Sequence, residues 1–66
     1  MKIVVEYMSK PYELQVEEGK TVLDILRTMR ISPDVTIVFI DKKPIPVDTI
    51  VTEDMELKAV SVVSGG

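Results

Sequence analysis

Sixty-six residues, 11 acidic against 8 basic side chains for a net charge of −3, and no cysteine or histidine set the first limits on this chain. It is one small domain that buries only about 60% of its unfolded surface. Neither a disulfide nor a thiolate metal site staples it, and it has no imidazole for acid–base work near neutral pH. The basic residues Lys2, Lys10, Lys20, Arg27, Arg30, Lys42, Lys43 and Lys58 are scattered, so no positive footprint for nucleic acid forms. No apolar run reaches the roughly 20 residues that span a bilayer, and no membrane partner is expected. The opening MKIVVEYM alternates and carries Glu6, which does not read as a signal peptide. A cytoplasmic protein is the expectation.

In the same opening segment, Ile3, Val5 and Tyr7 fall on one face and Lys2, Val4, Glu6 and Met8 on the other. This period of two, rich in β-branched residues, predicts a first strand. After Ser9-Lys10-Pro11, Tyr12, Leu14 and Val16 alternate with Glu13, Gln15 and Glu17. The two segments predict an antiparallel hairpin through a short polar turn containing the proline.

At Gly19 the period changes. Val22, Ile25, Leu26 and Met29 form one stripe of an α-helix. Thr21 is a candidate N-cap, with Asp24 three residues on in the capping-box position. Arg27 and Arg30 suit the last turn, and Pro33 stops the helix. Residues 35–41, VTIVFID, are almost wholly apolar and predict a strand buried on much of both faces. Asp41-Lys42-Lys43-Pro44 turns the chain. Residues 45–47 then predict a short edge strand flanked by prolines. The last segment, MELKAVSVV, starts with Glu56 and Lys58 opposite Met55, Leu57 and Ala59, then becomes apolar on both faces through Val60, Val62 and Val63.

Strand, strand, helix, strand, short strand, strand is an α+β pattern with the helix covering one sheet face. The apolar last strand favours a central place, parallel to the first. These choices give the β-grasp, or ubiquitin-like, topology, with a mixed sheet of four to five strands and one main helix. The domain is expected over residues 1–63, with residues 64–66 as a flexible Gly-Gly tail.

Several side chains with chemical potential have ordinary explanations. Glu17-Glu18 enters a glycine turn and reads as solvated. Lys42-Lys43 keeps a hairpin tip soluble. Ser61 and Ser64 have no histidine to activate them. Glu53-Asp54-Glu56 is an acidic cluster, either a solvated loop or a steering patch for a basic partner. The tail is different: without a Cβ, Gly65 and Gly66 form a slender lead able to enter a constricted active site.

With this element order, the close EDMELKAVSVVSGG and the Gly-Gly end, the chain resembles the ThiS/MoaD family of ubiquitin-like sulfur carriers over essentially its whole length. The resemblance implies a carrier that is not itself an enzyme and binds no cofactor. A ubiquitin-activating-type adenylyltransferase uses ATP to adenylate the terminal carboxylate. Sulfur from a persulfide donor then replaces AMP, and the thiocarboxylate feeds a sulfur-accepting synthase. Carried onto this chain, the acceptor is the carboxylate of Gly66, while Gly65 and Ser64 thread into the partner's site. Val60, Val62 and Val63 are candidates for partner docking, with core burial as the alternative.

Two prolines common before the Val-x-Gly-Gly of molybdopterin-pathway members are Ser61 and Val62 here. The chain is more similar to the thiamine-pathway type, although Asp41-Lys42-Lys43-Pro44 and Glu53-Asp54 replace that type's usual Asn-Gly and Gly-Asp turns. Sulfur delivery for the thiamine thiazole is therefore the leading expectation. Delivery to molybdopterin or tRNA, a protein modifier conjugated through Gly66, and a β-grasp binding module with an inert tail are the alternatives.

Overall fold

A computed structural model describes residues 1–53 and 55–62. The elements are β1 (Lys2–Tyr7), β2 (Lys10–Gln15), α1 (Val22–Thr28), a 3₁₀ turn (Pro33–Val35), β3 (Thr36–Ile40), β4 (Lys43–Ile45) and β5 (Glu56–Ser61). They form one five-stranded sheet in the order β2-β1-β5-β3-β4. β5 lies parallel to β1 and antiparallel to β3. The central, parallel placement expected for the apolar last strand is the one observed. Val63 and the expected tail at 64–66 lie outside the described residues.

The helix covers one sheet face. Ile3 and Val5 of β1, Leu57 and Ala59 of β5, and Val38 of β3 meet Val22, Ile25 and Leu26 of α1, with Ile31 and Val51 completing the core. Each fully buried aliphatic side chain contributes about 1.5–3 kcal/mol. That packing matters because a helix of 7 residues is marginal on its own.

The helix start is fully tied. Val22 and Leu23 donate their backbone N–H groups to the Thr49 and Val47 carbonyls at 2.9 and 2.8 Å. Asp24 N–H donates to Thr21 Oγ1 at 3.3 Å, and Thr21 N–H donates to Asp24 Oδ2 at 3.0 Å. The expected capping box is therefore present with Asp in place of Glu. Segment 46–51 lies along the helix start, where Val51 N–H also bonds the Lys20 carbonyl at 2.9 Å.

Arg30 departs from expectation. The helix ends with Met29 as C-cap, and Arg30 follows with φ 60°. Its N–H bonds the Arg27 carbonyl at 3.0 Å, and Ile31 N–H bonds the Leu26 carbonyl at 2.9 Å. This pair of bonds is a Schellman motif, and buried Ile31 supplies its accompanying apolar contact with the core. Arginine occupies the position that glycine usually takes.

The hairpins also differ in detail from the sequence reading. Both turns are two residues long and left-handed throughout: Met8 and Ser9 at φ 53° and 64°, Asp41 and Lys42 at φ 50° and 67°. These are type I′ values, which match strand twist and ordinarily favour Asn-Gly. Pro11 is consequently in β2, opposite Glu6, not in the turn. The fourth strand is Lys43–Ile45 rather than 45–47, because a two-residue turn lets pairing start at Lys43. β3 is buried on one face only: Thr36 and Val38 point to the core, but Ile37 is 39% exposed. The single helix cannot cover both faces.

Two measurements check this description. Arg30→Gly relieves the left-handed conformation and should stabilise the protein by about 1 kcal/mol, raising the thermal midpoint by roughly 4–8 °C. Asp24, held below its ordinary pKa by its backbone and side-chain hydrogen bonds from Thr21, contributes stability above the unfolded carboxylate pKa of about 4. That contribution disappears as pH falls through the lower folded value. Asp24→Ala should lower the urea midpoint at neutral pH and narrow its gap to wild type in acid.

Candidate functional site

The face of the sheet opposite the helix is the uncovered one. β1 contributes Val4 and Glu6, β5 contributes Glu56, Lys58 and Val60, and β3 contributes Ile37 and Phe39; Ile37 pairs with Val60 and Phe39 with Lys58. Charges dominate the end toward the Asp41-Lys42 turn. Lys58 Nζ lies 3.6 Å from Glu6 Oε2 with both side chains exposed, so this pair contributes at most about 1 kcal/mol. A shallow hollow of about 520 Å³ runs beside it, lined by Glu6, Phe39, Asp41, Lys42, Lys58 and Val60.

The other end is apolar. Val60 is 37% and Val62 51% exposed. The strand therefore becomes apolar because Val60 and Val62 serve the open face, not the core. Val62 N–H still bonds the carbonyl of Val35, the last residue of the 3₁₀ turn before β3, at 2.7 Å, which ties the chain down one residue beyond β5. The expected acceptor Gly66, the expected threading residues Gly65 and Ser64, and the docking candidate Val63 lie outside the described residues. Ile37 is a surface residue the sequence reading missed. Its pairing with Val60 follows from sheet order, and the apolar run 35–41 gave no sign of which face would be open.

The remaining candidates stay apart. Glu17 and Glu18 are exposed before Gly19, Lys42 and Lys43 are exposed at the β3–β4 turn, and Ser61 is exposed at the end of β5. Of the acidic cluster, Glu53 and Glu56 are exposed, and Asp54 is outside the described residues. Among the described residues, no group of acidic side chains is arranged to hold a metal ion. Likewise, no helix among them is long and apolar enough to cross a membrane.

Both sheet edges are blunted. Met1 and Val16 exchange backbone hydrogen bonds at 2.8 Å, and hydrogen-bonded pairs alternate along β1–β2 from there to the turn. Pro11, opposite Glu6, falls between them with its ring nitrogen toward the free edge. Pro44, opposite Phe39, occupies the same kind of position on β4. Each proline removes an outward N–H without losing a ladder bond.

Five mixed strands gripping one helix, with the first and last strands parallel at the centre, define a β-grasp, ubiquitin-like protein. Residues 1–63 match the model of small archaeal modifier protein 2, and the chain belongs to that family. It is 36% identical over 69 aligned residues to an uncharacterized protein of Archaeoglobus fulgidus, with the whole of both chains covered. It also superposes on a chain in the crystal structure of ATBAG1 in complex with HSP70, at a TM-score of 0.72 and 7% identity, covering 92% of this chain. This protein spans 40% of that solved chain, and the likeness concerns the fold alone.

Restoring the edge donors should expose the sheet to strand pairing. Pro11→Val together with Pro44→Val is expected to produce concentration-dependent self-association in sedimentation experiments under conditions where the wild type shows less.

Proposed function

We propose that this protein is a carboxyl donor whose Gly66 carboxylate is activated by an ATP-using, ubiquitin-activating-type adenylyltransferase and then joined to lysine amines of target proteins. Membership of a modifier family supports this reading. The structural observation that supports it is the hydrogen bond that holds the chain at Val62, one residue beyond the central strand and beside an open apolar surface. Gly65 and Ser64 are the lead that enters the partner's site. Val60, Val62 and Val63 form part of the surface the partner meets.

The chemistry places no catalytic demand on the carrier. A carboxylate oxygen attacks the α-phosphorus of ATP and pyrophosphate leaves. The resulting acyl adenylate has the leaving group that the carboxylate lacked, and an amine displaces AMP to form an isopeptide bond. A chain without cysteine or histidine is adequate for this role, because the activating base and phosphate-binding groups belong to the partner.

A second outcome of the same activation is sulfur transfer, supported by the resemblance of the closing EDMELKAVSVVSGG to sulfur carriers. A persulfide displaces AMP, and a thiol reductant then releases the thiocarboxylate for a sulfur-accepting synthase. On this reading the thiazole of thiamine is the acceptor named by that resemblance, with molybdopterin and tRNA as the other acceptors of the same chemistry.

Intact-mass analysis after incubation with extract of the source cells, ATP and a sulfur donor separates the two outcomes. Covalent adducts of the protein on larger chains, lost when Gly66 is deleted, are the expected result. A shift equal to exchanging one oxygen for sulfur supports the carrier outcome. Neither product, with a competent adenylyltransferase present, overturns the shared activation step.

A further inference from the structure

Oxidation of a sulfur in this sequence falls to methionine, because it has four methionines and no cysteine. Three of them, Met1, Met29 and Met55, are partly buried against the core. Met8 is 74% exposed, the highest value of any large apolar side chain among the described residues. It stands at φ 53°, a left-handed turn position that ordinarily favours Gly or Asn. A thioether is thus held in water against the local backbone preference, where an oxidant meets it before the other three.

The surroundings of Met8 suit both of its oxidation states. The parallel β1–β5 register places Tyr7 beside Ala59, so the Met8-Ser9 turn sits at the end of the sheet where β5 finishes. Met8, Ala59 and Val60 give a shallow hollow of about 400 Å³ its apolar lining, while Ser9, Lys58 and Ser61 line it with hydrogen-bond donors. The thioether matches the first set, and the oxygen of a sulfoxide is an acceptor for the second. Met8 and Ser9 are both exposed, so the added oxygen displaces no core packing.

We infer that Met8 is a reversible redox site whose oxidation lowers activation of Gly66 by making the apolar end of the open face polar. The sulfur lone pair attacks a peroxide oxygen, the O–O bond breaks and water leaves, with the sulfur oxidised by two electrons to a sulfoxide. A reductase of the methionine sulfoxide class reverses the step: the oxygen leaves as water while a dithiol becomes a disulfide. The switch rests on the reading of Gly66 as the activated group and of Val60 and Val62 as part of the surface the partner meets.

The test oxidises the full chain alone with mild hydrogen peroxide, removes the peroxide, and then adds ATP and the adenylyltransferase of the same organism. Peptide mapping by mass spectrometry should place the first added oxygen on Met8, with the thermal midpoint retained. Half-maximal release of pyrophosphate should then need about tenfold more of the oxidised chain, the scale of losing an interface anchor. Reductases for both sulfoxide epimers, supplied with a dithiol, should restore the untreated value. Met8→Leu should be activated like wild type before and after peroxide, and Met8→Gln should behave as the oxidised chain without treatment.

A first oxygen on Met1, Met29 or Met55, or a Met8 sulfoxide that the reductases leave untouched, overturns the redox site. A Met8 sulfoxide activated like the untreated chain, while deletion of Gly66 abolishes activation, overturns the switch and leaves the reading of the tail standing. If a chain lacking Gly66 is still activated, the reading of the tail fails and the switch with it.

Discussion

The parallel ladder between β1 and β5 is the constraint on which the rest of the molecule depends. Parallel neighbours cannot be joined by a tight turn, so every intervening element is part of the return path from one to the other. The helix occupies that path on one face, and β3 and β4 extend the sheet beyond β5. β5 is paired with β1 over Glu56–Ala59 and with β3 over Lys58–Ser61, so the chain reaches Val62 directly from the central strand. The same ladder brings the Met8-Ser9 turn to the end of the sheet where β5 finishes. Core and apolar surface are consequences of one pairing.

The three exposed parts of the sheet have different characters. Both edges carry a proline directed outward, so they are poor templates for another strand. The charged end of the open face holds the Glu6–Lys58 pair and the hollow beside it. Of these parts, the apolar end carries the exposed aliphatic side chains Val60 and Val62, the latter being the last described residue. On the proposed function, a partner acting on Gly66 would meet a face, not an edge. This arrangement suits a handle that must be gripped and released, because extending a β-ladder would couple recognition to self-association.

The features legible in the sequence were those decided locally or by a strong hydrophobic gradient. Thr21 and Asp24 specify the helix start through bonds between neighbours in the chain. The apolar character of β5 pointed to a central strand. The turns were less legible because Met8-Ser9 and Asp41-Lys42 adopt left-handed conformations without the glycine that usually marks them, which shifted the strand starts around Pro11 and Pro44. Arg30 concealed the helix C-terminus in the same way. The open face of β3 was hidden for another reason: Ile37 and Val38 are equally apolar, and only the placement of the helix distinguishes them. Of the site, Val60 and Val62 were legible as an apolar excess at the end of a strand. Met8 is an apolar residue standing where a turn prefers small polar ones.

A domain that presents Gly66 for activation is best tested by isotope exchange between pyrophosphate and ATP on the adenylyltransferase. Reversible formation of an acyl adenylate predicts exchange that depends on this protein and vanishes when the Gly66 carboxylate is blocked as an amide. Exchange stimulated equally by the amidated protein would contradict the account.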